Sequence, residues 1–257
     1  MAYRSIVLEK KGGVAVIKLN RPDVRNALNR ELMSELVECL SVLESEKETR
    51  CVVITGGSSF FSAGADIKEM KELSTMEALK MDVSALWDKV GEFQKPLIAA
   101  VNGYAYGGGL ELAMCCDIIV CGEKTKLGQP EINIGIIPGA GGTQRLTRAV
   151  GLHKASEMIL TGKPIDASEA KALHLVNAVV PEEKVLDYAL EIAAEISSKA
   201  PLAVKMAKAA LKKSQQVGLE SGLEFEHKLF YLLFSTRDQK EGMSAFLEKR
   251  KPVYQGQ

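Results

Sequence analysis

The chain has 257 residues, of which 33 are Lys or Arg and 33 are Asp or Glu, so its formal net charge is zero. A balanced charge argues against DNA, RNA or an anionic membrane as the partner, because these polyanions select basic surfaces. A hydrophobic fraction of 46% and a charged fraction of 26% are typical of a globular protein with a substantial core.

The N-terminal segment and the cysteines bear on the cellular compartment that we expect for the protein. The opening "MAYRSIVLEKKGG" lacks the apolar segment of a signal peptide, and no window approaches the roughly 18 apolar residues of a membrane span. The five cysteines are odd in number and show no C-x-x-C spacing, which favours free thiols in a reducing compartment. The three histidines are scattered. We therefore expect a cytoplasmic protein without a metal site.

In chain order, short apolar runs alternate with helical patterns. The runs are typical of strands that are covered on both faces. An alternation of such strands with helices predicts an α/β fold with parallel pairing. The predicted strands cover residues 14–19, 51–55, 97–101 and 118–120, and the predicted helices are centred on residues 32–43, 76–93, 110–115 and 153–160.

The last part of the chain has a different character. From about Pro201 onwards no strand is predicted, and three amphipathic helices follow. Their apolar faces need a surface to cover, either the core of the same chain or another subunit. We accordingly divide the chain into a core, residues 1–195, and a C-terminal helical region, residues 196–257.

The stretch "NGYAYGGGLELAMCCD" places three glycines between a predicted strand and a predicted helix. The first amides of a helix have no partner within it, and glycines let a ligand approach them. Such a junction is a ready site for an anion or a developing oxyanion, but the glycines alone are more typical of a tight turn packed against a neighbour. Glu111 in the first turn would repel a phosphate, so acid–base chemistry on a carbonyl is the better interpretation.

Two further stretches extend this picture. "SAGADIKEM" again leads from a strand into a helix start at Ala65 and Asp66, although Asp66 taken singly is typical of a helix cap. In "GQPEINIGIIPGAGGTQRL", Glu131 lies in an ordered loop, where the alternative to catalysis is a structural ion pair with Arg145. Two carboxylates beside a carbonyl pocket can divide the addition of water between a general base and a general acid.

Together, "SAGADIKEM", "IAAVNGYAYGGGLELAMCCDI" and "GQPEINIGIIPGAGGTQRL" closely resemble the enoyl-CoA hydratase (crotonase) family, and the resemblance extends over essentially the whole chain. It implies the crotonase, or ClpP-like, spiral of repeated ββα units with a C-terminal α-helical region. It also implies a homo-oligomer, either a trimer or a dimer of trimers. No cofactor is expected, because coenzyme A is part of the substrate.

The resemblance also assigns roles to particular residues. It implies that Glu111 and Glu131 are the catalytic pair and that the amides of Ala65 and Gly108 form the oxyanion hole. For substrate binding, the resemblance implies that Ala65, Asp66, Ile67 and Lys68 line the CoA. It also implies that Phe246 and Lys249 of an adjacent subunit contact the adenine.

The implied reaction is reversible syn hydration of a short-chain trans-2-enoyl-CoA to the (3S)-3-hydroxyacyl-CoA, in fatty-acid or amino-acid breakdown or a butyrate route. The alternatives are another acyl-CoA enzyme on the same fold, such as a Δ3,Δ2-isomerase, a dehydratase or a decarboxylase, and a non-catalytic RNA-binding member. Tyr106, where the family often has Leu, is expected to pack, with control of acyl chain length as the alternative.

Overall fold

A computed structural model of the chain describes residues 3–82 and 84–257. Its main sheet has six strands in the order β1-β2-β3-β4-β6-β9, of which only the β1–β2 pair is antiparallel. These strands are β1 (Ile6–Lys11), β2 (Val14–Leu19), β3 (Cys51–Thr55), β4 (Leu97–Val101), β6 (Ile118–Gly122) and β9 (Ala178–Val180). All four predicted strands are confirmed, and β1 and β9 flank them as edges that the sequence interpretation missed.

A second, smaller sheet consists of three very short strands that were not predicted. It contains β5 (Tyr104–Tyr106), β7 (Lys126–Gly128) and β8 (Ile165–Asp166) in the order β5-β7-β8. The β5–β7 pair is parallel and the β7–β8 pair is antiparallel.

Twelve α-helices occur in the described ranges. They are α1 (Arg30–Ser45), α2 (Ile67–Met70), α3 (Thr75–Met81), α4 (Ser84–Glu92), α5 (Gly108–Cys115), α6 (Gly142–Val150), α7 (Leu152–Thr161), α8 (Ala167–Ala172), α9 (Val185–Ser197), α10 (Pro201–Ser214), α11 (Leu219–Leu233) and α12 (Arg237–Leu247). No helix within residues 3–82 and 84–257 is long and apolar enough to cross a bilayer.

The central strands are buried on both faces, as their continuous apolar runs predict. Val52 and Ile54 of β3 belong to the larger hydrophobic cluster, together with side chains of α1 and α5. Cys51 and Val53 point to the opposite face, where they pack against α9. Because side chains alternate along a strand, a strand between two helical layers must be apolar at every position.

The predicted helix over residues 76–93 is wrong in one respect, since the chain forms two helices there. The first, α3, ends at Met81, and the C-cap residue Asp82 adopts a left-handed conformation with φ of 41°. Such a residue terminates a helix, and aspartate tolerates the conformation better than most side chains. Residue 83, inside the predicted range, lies outside the described residues.

The three C-terminal helices are confirmed, and α10 packs on the core. Lys208 is buried and forms an ion pair with Asp117, which lies between α5 and β6, 2.6 Å from Nζ to Oδ2. By contrast, α11 has no buried residue, and its Leu219 and Tyr231 are 80% and 69% exposed. The boundary at residue 196 and the oligomeric state remain predictions.

Candidate active site

The segments that follow β3 and β4 run side by side and bring two helix starts together. The amide of Phe61 donates to the carbonyl of Tyr104 at 3.1 Å, and that of Tyr106 donates to Ser62 at 3.1 Å. As a result the Ala65 nitrogen lies 3.3 Å from the position that a Cβ on Gly108 would occupy. Among the described residues, neither of these two amides donates a hydrogen bond to the protein. Two adjacent unpaired donors of this kind suit the oxygen of a polarised carbonyl.

The glycine run is explained by what surrounds it. Gly107 has φ of 51°, and a Cβ there would lie 3.0 Å from Oε1 of Glu131. A Cβ on Gly109 would come within 2.8 Å of the Ser62 Cβ, closer than side-chain atoms approach. The glycines therefore allow α5 to start directly against the segment that carries Ala65.

The only tryptophan in the sequence holds the carbonyl group of Gly108, at the start of α5. The indole nitrogen of Trp87, on α4, donates to the Gly108 carbonyl at 3.1 Å, and the ring is buried. Sequence analysis missed this residue. Its single occurrence in an amphipathic helix gave no information about its partner.

Glu111 is 3% exposed and lies in the first turn of α5. Its Oε1 accepts hydrogen bonds from the amides of Ala140, at 2.8 Å, and Gly142, at 2.6 Å. Burial raises the pKa of the Glu111 carboxyl above its ordinary value, while these two amides and the positive charge of Arg145 oppose the rise.

Glu131 opens a 3₁₀ helix, Glu131–Ile134, which corrects the prediction of a loop at this position. The helix is a single turn because Gly135 adopts a left-handed conformation directly after it. Burial, followed by the negative charge of Glu111, raises the pKa of Glu131 to about 7. Glu111 is thus close enough to influence the titration of Glu131.

The proposed ion pair between Glu131 and Arg145 does not form. Arg145 donates instead to the Ala140 carbonyl at 2.8 Å and faces Asp88 at 3.9 Å. Glu131 has no Lys or Arg partner within residues 3–82 and 84–257, so its carboxylate is not committed to a structural ion pair.

Gln129 is a second residue that sequence analysis missed. It is fully buried two residues before Glu131, and with its amide assigned in the orientation that satisfies both groups, its nitrogen donates to both carboxylate oxygens, at 2.9 and 3.1 Å. In this orientation the amide holds the carboxylate in place. In the sequence, Gln129 next to Pro130 looks like any glutamine of a surface loop, so its burial and its partner could not be predicted.

The residues predicted along the CoA fall into two groups. Asp66 caps α2 by accepting from the Lys68 amide at 3.2 Å, and it also pairs with Arg21 at 3.0 Å. The cap interpretation is therefore confirmed, and the Asp66 side chain has a structural task. Ile67 and Lys68 are exposed beside Ala65.

The other predicted residues lie elsewhere on the surface. Phe246, on α12, is 82% exposed, and the exposed Lys249 follows the end of that helix. Within residues 3–82 and 84–257, nothing covers this pair. Tyr106 stacks on Tyr104 with ring centroids 5.1 Å apart, and Tyr104 stacks in turn on Phe60. This three-ring stack agrees with the packing role expected for Tyr106.

The chain is similar to known sequences and solved structures. A family model described as enoyl-CoA hydratase/isomerase matches residues 9–257. The chain is 47% identical to the 2,3-dehydroadipyl-CoA hydratase of Escherichia coli, over 98% of each chain. It is 44% identical to the short-chain-enoyl-CoA hydratase of Clostridium acetobutylicum, over 98% of this chain and 97% of that one.

Solved structures show the same fold. A crystal structure of an enoyl-CoA hydratase subunit from Geobacillus kaustophilus superimposes with a TM-score of 0.96 and 44% identity, over 99% of each chain. A second, from Bacillus anthracis, gives 0.94 and 40%, over 99% of this chain and 100% of that one. The crotonase fold expected from the sequence is confirmed, and the chain is an enzyme that belongs to the enoyl-CoA hydratase/isomerase family.

Proposed function

We propose that the protein is a short-chain enoyl-CoA hydratase that reversibly adds water, in the syn sense, to a trans-2-enoyl-CoA of the crotonyl type. The product is the (3S)-3-hydroxyacyl-CoA. The observation that carries this proposal is the juxtaposition of two glutamates of raised pKa, Glu111 buried and Glu131 half-buried, with two unpaired main-chain amides.

The amides of Ala65 and Gly108 hold the thioester oxygen. As water adds to the β-carbon, negative charge moves onto this oxygen, and the two donors stabilise it most where the charge is greatest. Because both donors belong to the backbone of a packed junction, they need no rearrangement during the reaction.

The glutamates divide the proton transfers. Ionised Glu111 takes a proton from the attacking water, while protonated Glu131 gives its proton to the α-carbon. A pKa of about 7 keeps much of the Glu131 population protonated near neutrality, as an acid requires. In the reverse direction the two residues exchange roles.

The substrate's CoA would lie along residues 65–68, with Phe246 and Lys249 of a neighbouring subunit at the adenine. Since addition of water changes no oxidation state overall, the proposal includes no cofactor. The exposed apolar side chains of α11 and α12 support assembly into a trimer or a dimer of trimers. We place the enzyme in the cytoplasm.

The rate should depend on pH through this glutamate pair. In hydration Glu131 must be protonated, so kcat/KM falls as the pH rises above about 7. Glu111 must be ionised, so kcat/KM also falls on the acidic side, at a pH above the ordinary titration range of a glutamate because its pKa is raised. Initial rates in buffers of constant ionic strength should give a bell whose limbs belong to the coupled pair. A rate that stays constant through neutrality and into the alkaline range would contradict the assignment of Glu131.

The reaction itself is tested with purified protein and crotonyl-CoA, by the loss of the conjugated-thioester absorbance. Hexenoyl-CoA and 2,3-dehydroadipyl-CoA extend the test to a longer chain and to a carboxylated one. We expect the highest kcat/KM with crotonyl-CoA. Activity on a 3-enoyl-CoA without hydration of any 2-enoyl-CoA would replace the proposal with the isomerase alternative.

A further inference from the structure

We propose that Arg145 is a positioning residue for Glu111, acting through the backbone of residues 140–142, an inference that rests on the catalytic role proposed for Glu111. Arg145 does not contact the carboxylate itself. It holds the turn whose amides do.

The contacts form a chain of hydrogen bonds. The Arg145 guanidinium donates from Nη1 to the Ala140 carbonyl at 2.8 Å. The amide of the same residue, Ala140, donates to Oε1 of Glu111 at 2.8 Å. Ala140 therefore connects the two side chains: its carbonyl accepts from Arg145 and its amide donates to Glu111. The Gly142 amide donates a second hydrogen bond to the same Glu111 oxygen.

Gly141 makes this arrangement possible. Its φ of 99° is unfavourable for other residues, and a Cβ there would lie 2.0 Å from Nη1 of Arg145. The guanidinium therefore lies directly across the turn. A side chain at residue 141 would displace it, so the glycine and the arginine form one structural unit.

The surroundings of Arg145 leave it available for this task. It lines a cleft of about 960 Å³ between α6 and α10, and its side chain is 30% exposed. Its acidic neighbour Asp88, on α4, is 3.9 Å away and 71% exposed, so this ion pair contributes little. The other charged groups that line the cleft are Glu92, Asp117, Arg148, Lys199, Lys208 and Lys212.

The arginine also acts by its charge. Its positive charge lowers the pKa of Glu111, against burial, and so favours the ionised form that a general base needs. Glu131 is the other charged group whose titration is coupled to that of Glu111. Loss of Arg145 should therefore change two separate properties, the placement of Glu111 and the pH at which it ionises.

The test compares Arg145→Gln and Arg145→Lys with the matched control Arg148→Gln. Arg148 is one turn further along α6 and exposed, and its guanidinium bonds only to Gln144. In Arg145→Gln we expect kcat for crotonyl-CoA to fall by about 10- to 100-fold, since small misplacements of catalytic groups have effects of this size. KM should stay within about twofold of wild type, because uniform substrate binding is retained.

The pH profile separates positioning from general damage to the fold. Arg145→Gln should shift the acidic limb to higher pH, whereas Arg145→Lys, which keeps the charge, should leave that limb in place while kcat falls. Arg148→Gln should match wild type in both respects. Arg145→Met fills a similar volume without charge or donor, and it replaces the Gln variant if that variant does not fold.

Two outcomes distinguish the possible errors. The role of Arg145 alone would be overturned if Arg145→Gln, or Arg145→Met, had wild-type kcat and an unshifted acidic limb while Glu111→Gln was inactive. Full activity in Glu111→Gln would overturn the proposed function, and the inference about Arg145 with it.

Discussion

Substitution of either Glu111 or Glu131 by glutamine is expected to lower kcat for crotonyl-CoA hydration by about 10²- to 10⁴-fold, the usual contribution of one general acid or base. Glutamine has nearly the same shape as glutamate. At residue 111 its amide oxygen can still accept the hydrogen bonds from the amides of Ala140 and Gly142. It cannot take up or release the proton. KM should change little, because the lost interaction is made mainly in the transition state.

The double variant sharpens this test. If the two carboxylates act on one water as a unit, Glu111→Gln combined with Glu131→Gln should be little worse than the poorer single variant. Glu226→Gln, an exposed position on α11, is the matched control and should have wild-type kcat. Near-wild-type kcat in either active-site variant would rule out the two-carboxylate mechanism.

The second large effect is expected for Gly109→Ala. The added methyl would lie 2.8 Å from the Ser62 Cβ and 2.9 Å from the Ser62 carbonyl oxygen, so α5 must move away from the segment that carries Ala65. The Gly108 amide would move with the helix, and loss of one oxyanion donor typically lowers kcat by about 10²- to 10³-fold. Alanine improves helix propensity by roughly 1 kcal/mol over glycine, so a loss of activity cannot come from a weaker helix.

Gly222→Ala provides the corresponding control. Gly222 lies within α11, and a Cβ there would meet only the Val217 side chain, at 3.9 Å. We expect this variant to keep wild-type kcat, and crotonyl-CoA assays on both proteins at equal concentration compare them directly. Unchanged kcat in Gly109→Ala would show that the position of the helix start does not determine the rate.

The main sheet was predictable from the sequence because its central strands are buried on both faces. The runs 51–54 and 97–101 are apolar at every position, and this pattern depends little on the rest of the fold. The second sheet was not predictable. Its strands of two or three residues acquire their conformation from pairing between distant segments, as in Tyr104 with Lys126, rather than from any local periodicity.

The helix over residues 76–93 shows a different limit. The apolar spacing in the sequence does not register the break at Asp82, because such spacing carries no information about continuity of the backbone. It does not guarantee burial either, since Met76 and Leu79 of α3 are 61% and 68% exposed. A left-handed aspartate has no strong local signature in a single sequence.

For the site, the structure brings residues taken from the family resemblance close together, and their catalytic roles stay predictions. Ala65, Gly108, Glu111 and Glu131 converge from three separate segments. What remained hidden were the contacts that hold them, from Trp87, Gln129 and Arg145. Each joins residues whose proximity exists only after folding, so residue type and spacing could not identify them.

In the proposed mechanism the groups that polarise the thioester are peptide nitrogens, which every residue except proline possesses. Mutation at residues 65 or 108 therefore cannot easily erase them, whereas a single base change can remove a catalytic carboxylate. In such a fold the backbone polarises the thioester carbonyl, and this function tolerates mutation. The side chains that transfer protons are easily replaced, and they determine which reaction follows. That division accounts for a family whose description unites hydratases with isomerases.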